Sequence, residues 1–265
     1  AFAGGLLLGV TLVSGVAVLS KVVPEWLNET ERFARLREPF GYWNAVGLAG
    51  ALAAPLALWL GSRRQGAPAL NILAYPAMTL ALTATLLAYS RGSLIAGAVG
   101  VAAWFVLVPA RRLRGASVLL LGGVAAAFVA AWTFGQNALT EDNIELAERG
   151  AAGRELLVWL AAVLLLVYVA GMVVAFLSDL RPLGLRRRRG LSAALLVGVA
   201  LIPVAIAGVL STTDEGLGGS ISTAWQTITD PKAEPAASNE PGRLAETSSV
   251  RARYWDDPNR RELPC

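Results

Sequence analysis

The five residues Tyr89-Ser90-Arg91-Gly92-Ser93 join two long apolar segments, at about residues 69–89 and 93–109. Almost no room is left for a loop, so the Arg91 guanidinium is expected at or just inside a membrane boundary. The two helices on either side of it are expected to pack side by side. A charge at that depth is costly and is usually kept for a function. The stretch therefore predicts a helical membrane fold and a candidate site at once.

The composition of the whole chain also indicates a membrane protein. Of 265 residues, 55% are hydrophobic and only 16% are charged, whereas soluble domains carry about 25% charged residues. The apolar residues occur in runs of about 20, the length that crosses a bilayer as a helix. We expect an all-α integral membrane fold of about seven transmembrane helices plus an extracytoplasmic tail. The transmembrane region covers 1–210, with spans near 2–23, 44–61, 69–89, 93–109, 116–134, 155–178 and 191–210, and the tail covers 211–265.

The distribution of arginine predicts the orientation of these spans. Every second loop carries arginines and no acid beyond Asp179, and the positive-inside rule assigns such loops to the cytoplasm. The intervening loops mix acidic and basic residues and are assigned to the outside, together with Arg91 and the tail. The net charge of +4 is then a topology signal, and no nucleic-acid partner is expected. The cytoplasmic arginines are Arg63, Arg64, Arg111, Arg112, Arg114, Arg181, Arg186, Arg187, Arg188 and Arg189.

Two absences in the sequence exclude some kinds of site. The single cysteine, Cys265, permits neither an internal disulfide nor a cysteine-based metal site, and there is no histidine to bind a metal or act as a base. We therefore expect no metal site built on histidine or cysteine. The apolar start at Phe2 lacks the charged region of a signal peptide and resembles a helix entered part-way through a longer protein.

Three stretches with arginine lie on the outer side in this topology. They are Arg35-Leu36-Arg37-Glu38-Pro39-Phe40-Gly41-Tyr42-Trp43-Asn44, then Ser90-Arg91-Gly92, then Arg243-Leu244 followed by Ser248-Ser249-Val250-Arg251-Ala252-Arg253-Tyr254-Trp255. In the first, Pro39 and Gly41 predict a turn and Asn44 a helix N-cap. The arginine side chain donates two parallel hydrogen bonds and stays charged when partly desolvated, which suits a pyrophosphate. Gly92 would let the phosphate approach closely, and Ser90 could donate a further hydrogen bond.

Simpler interpretations of the same residues remain open. Arg91 could end a helix and reach lipid phosphates, and Arg251 and Arg253 could be interface anchors. Arg32, Arg35 and Arg37 could pair with neighbouring glutamates as a solvated amphipathic piece. Residues 141–154 are expected to form a solvated acidic loop.

The ordered set of motifs resembles the O-antigen ligase/polymerase family of bacterial membrane proteins. Gly41-Tyr42-Trp43-Asn44-Ala45-Val46-Gly47 is similar to the family's Gly-x-x-Asn-x-x-Gly entry to a helix. Leu87-Ala88-Tyr89-Ser90-Arg91-Gly92-Ser93-Leu94 is similar to its Ser-Arg-Gly signature. The stretch from Arg243 to Trp255 resembles the opening of its large periplasmic loop. Together these motifs span about residues 31–255.

The resemblance implies a membrane glycosyltransferase of the C type. Such an enzyme ligates or polymerises a glycan from an undecaprenyl-pyrophosphate carrier, in cell-surface polysaccharide biosynthesis, and needs no cofactor. Its partners are that carrier, membrane lipids and a glycan or lipid acceptor, and its place is the bacterial cytoplasmic membrane, multi-pass, with the tail outside. The implied catalytic residues are Arg91 and Arg251, and the implied pyrophosphate-binding residues are Arg37, Ser90, Gly92, Arg253 and Asn44.

The sequence also departs from the family pattern. After Tyr254-Trp255 the family's amphipathic helix, Pro-x-x-Gly-x-Gly motif and catalytic histidine are not found. The chain is therefore expected to be truncated at both ends, to keep part of the donor site and to lack the acceptor machinery. Two other functions stay open: a polytopic transporter or flippase subunit, and an inactive truncated membrane protein.

Overall fold

A computed structural model of the chain describes residues 2–27, 33–180, 184–211 and 241–244, together with Ser222, Trp225, Gln226 and Thr229. This part of the chain is helical, with connecting turns and no strand, which confirms the all-helical prediction for it. The chain divides into two compact units, residues 1–196 and 197–265.

The described residues contain ten α-helices, three of which are only four or five residues long. They are α1 (Phe2–Val22), α2 (Pro24–Leu27), α3 (Trp43–Gly61), α4 (Pro68–Ile72), α5 (Ala74–Leu87), α6 (Arg91–Leu107), α7 (Arg112–Phe134), α8 (Asn137–Thr140), α9 (Leu146–Leu180) and α10 (Leu185–Ser211). Two short 3-10 helices cover Pro109–Arg111 and Pro241–Leu244.

Five segments of the described chain are long and apolar enough to cross a membrane. They are Phe2–Val22, Trp43–Gly61, Pro68–Leu87, Pro109–Phe134 and Leu146–Ser178. The predicted span at 93–109 corresponds to α6, which has only 17 residues and ends earlier, at Leu107. The predicted span at 191–210 lies within α10. A membrane crossing by α6 and α10 stays a prediction.

The helices of the first unit expose apolar side chains and bury polar ones. Leu8, Val99 and Phe176 are each more than 60% exposed, whereas Ser14 and Thr79 are fully buried. Both hydroxyls donate to the carbonyl four residues earlier, from Ser14 to Val10 at 2.9 Å and from Thr79 to Tyr75 at 3.1 Å. Apolar side chains facing outward and small polar ones between helices are what a lipid environment favours.

Helix α3 lies at the centre of the first unit and contacts α1, α5, α6 and α7. Its glycines permit the close approach: a Cβ added to Gly50 would lie 2.5 Å from the Ala81 carbonyl oxygen of α5. A Cβ added to Gly47 would lie 2.7 Å from the Ser93 hydroxyl of α6. The expectation that α5 and α6 pack side by side is therefore wrong. Both pack mainly on α3, because its small residues let two neighbours approach at once.

The third apolar segment is interrupted where the sequence predicted one span. Helix α4 ends at Ile72, Leu73 forms a turn, and α5 begins at Ala74. Pro76 has no N–H, and its ring would clash with the Ile72 carbonyl in an unbroken helix. The turn at Leu73 places Pro76 in the first helical turn, where a missing N–H costs nothing.

The loops of the first unit gather at two opposite ends. At one end, which we call the Arg35 end, residues 33–44 contact residues 87–93 and 138–149. At the other, the Arg63 end, the Arg114 guanidinium donates to the Arg63 carbonyl at 3.3 Å and Arg188 donates to the Ala110 carbonyl. The loops that the sequence assigned to one side thus meet each other.

The second unit is described only in part. Trp225 is 68% exposed, and its carbonyl accepts a hydrogen bond from the Thr229 hydroxyl at 2.8 Å. The predicted site residues Arg251 and Arg253 lie outside the described residues.

Candidate functional site

The first two arginine stretches meet at the Arg35 end. The Leu36 N–H donates to the Leu87 carbonyl at 3.2 Å, which joins the segment before α3 to the end of α5. The Ser93 hydroxyl donates to the Asn44 carbonyl at 3.3 Å, which joins the start of α6 to the start of α3. The structure therefore brings together two motifs that were recognised separately.

The buried side chain of Arg35 connects the segment before α3 to the turn between α5 and α6. Its Nε and Nη2 atoms donate to the carbonyls of Ala88 and Tyr89, each at 3.1 Å, and its guanidinium lies over the Trp43 ring at 4.2 Å. The residue is only 3% exposed. The interpretation of Arg35 as part of a solvated amphipathic piece is therefore wrong, because the side chain replaces water with two carbonyls and an aromatic face.

Ser90 forms the N-cap of α6. Its hydroxyl oxygen accepts from the Ser93 N–H at 3.4 Å and lies 2.8 Å from the Ser93 hydroxyl. The residue is buried. The cap fixes where α6 begins, so it sets the position of Arg91, the first residue of the helix.

The prediction that Asn44 caps α3 is wrong. The helix begins at Trp43, and Tyr42 occupies the N-cap position, where its side chain makes no hydrogen bond to the N–H groups of the helix. The Asn44 amide instead donates to the Tyr42 hydroxyl at 2.6 Å. The predicted turn before it is confirmed: residues 38–41 form a turn in which Gly41 has a φ of 67°, the left-handed region that favours glycine.

Three accessible residues of the two stretches, Arg37, Arg91 and Gly92, are the ones that could bind an anion, and we call them the arginine patch. Arg37 and Arg91 are half-buried and Gly92 is exposed. Arg37 lies 3.7 Å from the Glu38 carboxylate, with its guanidinium 4.8 Å from the centre of the Phe33 ring. No atom lies within 4 Å of a Cβ added to Gly92. The space beside the first turn of α6 is therefore open to a ligand.

The start of α6 adds a positive field to this open space. A helix N-terminus carries a partial positive charge, and its N–H groups point toward the approaching ligand. The first turn of α6 contains no acidic residue. Because Arg91 is its first residue, this helix start combines a full positive charge with the partial charge of the helix and favours anions.

Two further buried cations, which we did not predict, hold the loops of the Arg35 end. Lys21 donates from Nζ to the carbonyls of Ala34, at 2.7 Å, and Leu139. Arg149, 2% exposed, donates to the carbonyls of Ala138 (3.2 Å), Phe33 (3.2 Å) and Glu141 (2.9 Å). The Asp142 carboxylate accepts the Ala34 N–H at 2.6 Å. Lys21 and Arg149 thus hold the backbone of residues 33–34, and Arg35 extends from the same segment to residues 88–89.

The sequence contains one signal for Lys21 and none for Arg149. Lys21 is the sole charged residue of its apolar run and one of only two lysines in the chain. Arg149 lies among residues of both charge signs, which gave no reason to expect burial. The expectation of a solvated loop over 141–154 is wrong from Leu146 onward, because α9 begins there and Arg149 is buried in its first turn. Arg154, five residues further on, is 67% exposed and lies 3.8 Å from the Glu25 carboxylate.

Tyr89 sits at the turn between α5 and α6 with a φ of 49°. It is 1% exposed, packs on the Phe134 ring at 5.7 Å, and its hydroxyl has no hydrogen-bond partner among the described residues. Burial raises the pKa of its phenol, which therefore stays neutral beside the buried cations.

We also searched for a metal centre and for related proteins. Within the described residues, no group of three or more His, Cys, Asp and Glu side chains could hold a metal ion. Comparison with family models, curated proteins and solved structures finds no match.

Proposed function

We propose that the chain transfers or polymerises a glycan in the manner of an O-antigen ligase, taking it from an undecaprenyl-pyrophosphate carrier. The observation that carries this proposal is the meeting of the two arginine stretches, through the Ser93 hydroxyl and the Asn44 carbonyl. It supports the proposal because one pyrophosphate group needs cationic donors from both stretches within reach.

In the proposed reaction an acceptor hydroxyl attacks the anomeric carbon of the carried sugar. The bond from that carbon to the pyrophosphate oxygen breaks, and the electron pair leaves with undecaprenyl pyrophosphate. The acceptor's proton passes to a base that the described residues do not identify. Arginine lowers the barrier by stabilising the charge that develops on the leaving oxygen.

The proposal gives the predicted residues of the first unit two roles. Arg91 and Arg37, with the open space at Gly92, contact the pyrophosphate. Arg251 and Arg253, which the resemblance also implies, lie outside the described residues. Ser90 and Asn44 act as positioning residues, since their polar atoms hold the starts of α6 and α3.

The proposed reaction takes place at the outer face of the cytoplasmic membrane. Seven spans in the bacterial cytoplasmic membrane, with the tail outside, would place the Arg35 end at the outer headgroup level. A carrier in that leaflet presents its pyrophosphate at this depth. The mixed-sign loops of the Arg35 end and the arginine loops of the Arg63 end support this orientation.

The Arg91→Ala variant tests the proposal in the protein's own host membrane. Glycan transfer should fall about 100-fold or more, the range for losing a donor to a developing negative charge. The amount of protein in the membrane should not change, because Arg91 is half-buried at a helix end. Both quantities are measured in the same cells, by glycan analysis and by immunoblot.

Arg154→Ala is the matched control, since it removes an exposed arginine from the Arg35 end and lies away from the arginine patch. It should keep transfer near the wild-type level. Unchanged transfer in Arg91→Ala, or an equal loss in both variants, would contradict the role given to Arg91.

A further inference from the structure

The Arg63 end contains a cavity that the proposed function does not use. Its volume is about 250 Å³, and it lies where the end of α3, the α3–α4 loop, the start of α7 and the end of α9 come together. Three arginines line it: Arg63, Arg64 and Arg114. No acidic residue is among the described residues that line it, although Asp179, whose side chain is not described, follows the lining residue Ser178.

Hydrogen bonds hold the arginine loop in a fixed shape. Arg114 donates from Nη1 to the Arg63 carbonyl at 3.3 Å, and the Asn71 amide donates to the Gln65 carbonyl at 3.1 Å. The Arg63 guanidinium lies over the Trp59 ring at 4.7 Å. These contacts order the loop before any ligand arrives, which lowers the entropy lost on binding.

The rest of the cavity wall is largely apolar. Ile72, Val174 and Ala175 contribute to it, and Tyr75 faces it with its hydroxyl 2.9 Å from that of Ser117. The volume is below the roughly 300–1,000 Å³ of pockets that enclose drug-sized ligands. The cavity therefore suits a small anionic group that has an apolar continuation.

We propose that this cavity binds the phosphate headgroup of an anionic phospholipid from the leaflet at the Arg63 end. The guanidinium fork matches phosphate oxygens, and three such cations compensate a phosphodiester in a setting partly shielded from water. The cavity lies at the helix ends, which is headgroup level for the spans that border it. The positive-inside rule assigns this end to the cytoplasmic leaflet, where basic pockets between helices recognise anionic lipids.

The test uses the whole chain purified in a neutral detergent, with lipid adducts counted by native mass spectrometry. Phosphatidylglycerol should bind at least about tenfold more tightly than phosphatidylcholine with the same acyl chains. The double variant Arg63→Gln with Arg64→Gln should lose this preference. A double variant of exposed arginines outside the cavity, Arg186→Gln with Arg187→Gln, makes the same charge change and should keep it.

A second variant shows whether the loss of lipid in the Arg63/Arg64 double variant could result from misfolding. Ala175→Leu fills the apolar side of the cavity without changing the charge, and it too should lose the bound phosphatidylglycerol. Equal losses in the two arginine double variants would show attraction by general surface charge and overturn the proposal. So would retention of the lipid in Ala175→Leu.

Competition with glycerol phosphate tests whether the bound phosphate group belongs to a lipid or to a soluble compound. At millimolar concentration it should fail to displace phosphatidylglycerol, because it lacks the apolar continuation. Binding of glycerol phosphate to the cavity, together with no preference for phosphatidylglycerol over phosphatidylcholine, would overturn the assignment to a lipid.

Discussion

At the residue scale, Arg149 shows how a full charge is accommodated inside this chain. Its five N–H donors are arranged in a planar fork, and three carbonyls from separate positions surround it. Burial of a charge is tolerated only where such donors are satisfied. The residue therefore joins the segment at Phe33 to the segment at 138–141 more firmly than an apolar contact would.

We predict that Arg149→Ala destabilises the folded chain by about 3 kcal/mol, since it leaves buried carbonyls without donors. Unfolding in mixed micelles, followed by tryptophan fluorescence, measures the change. Arg154→Ala on the same helix is the control. Its ion pair with Glu25 is exposed, so it should change stability by less than about 1 kcal/mol. Similar losses in both variants would mean that the buried contacts of Arg149 contribute little.

The sequence alone could not separate these two arginines. Arg149 and Arg154 share one stretch of mixed charge sign, and Arg35 and Arg37 share one short motif. What distinguishes them is which backbone carbonyls come within reach, and that depends on three loops meeting at one end. Residue type and position could predict the arginine patch as a motif, but they could not show that Arg35 is a structural residue.

At the element scale, length and hydropathy predicted the helices well and their partners poorly. The segment at 44–61 was expected as a helix with small residues, and α3 covers Trp43–Gly61. That α3 is the central helix is not visible in its hydropathy. It follows from where the glycines fall relative to α5 and α6, a property of three helices together.

Gly50 lies directly against α5, so it tests that packing. A Cβ there would clash with the Thr85 hydroxyl and lie 2.5 Å from the Ala81 carbonyl oxygen, and the carbonyl belongs to a helix backbone that cannot rotate away. We predict that Gly50→Ala destabilises the chain by about 1–3 kcal/mol through overpacking. The measurement is the midpoint of thermal unfolding in detergent.

Gly100→Ala on α6 is the matched control for that substitution. Its added Cβ would lie 3.8 Å from Pro55, an ordinary contact distance. Alanine is favoured over glycine in a helix by about 1 kcal/mol, so this variant should be unchanged or slightly more stable. A Gly50→Ala variant that is as stable as Gly100→Ala would contradict the close packing of α3 on α5.

At the scale of the whole molecule, the alternation of loop charges and the structure agree on one division. The arginine loops that the sequence assigned to one side are joined by the Arg114–Arg63 and Arg188–Ala110 hydrogen bonds. The mixed-sign loops are joined by Lys21, Arg35 and Arg149 at the opposite end. Hydropathy and charge could predict this grouping because both patterns depend on which residues lie in the membrane and which lie in water. They could not predict which loop backbones are joined, because that depends on which carbonyls Lys21, Arg35 and Arg149 reach.

This division gives a prediction about sidedness. In a Cys265→Ser background, a cysteine in place of Glu141 at the Arg35 end should react with a membrane-impermeant maleimide in intact cells. A cysteine in place of Gln65 at the Arg63 end should react only after the membrane is opened. Both positions are exposed, so reactivity reports the side of the membrane and not burial. The physical reason is that loops rich in arginine stay on the cytoplasmic side, whereas mixed-sign loops are translocated.

The two cysteines also control for each other. Labelling of both positions after permeabilisation shows that both variants are present and accessible. If the cysteine at position 65 reacts in intact cells and the one at 141 does not, the chain is inserted the other way round. The arginine patch would then face the cytoplasm, where a carrier-linked glycan on the outer leaflet cannot reach it, and the proposed transfer reaction would lose its substrate. Sidedness is thus the measurement on which the patch and the lipid cavity both depend, because each was assigned a ligand according to the leaflet it faces.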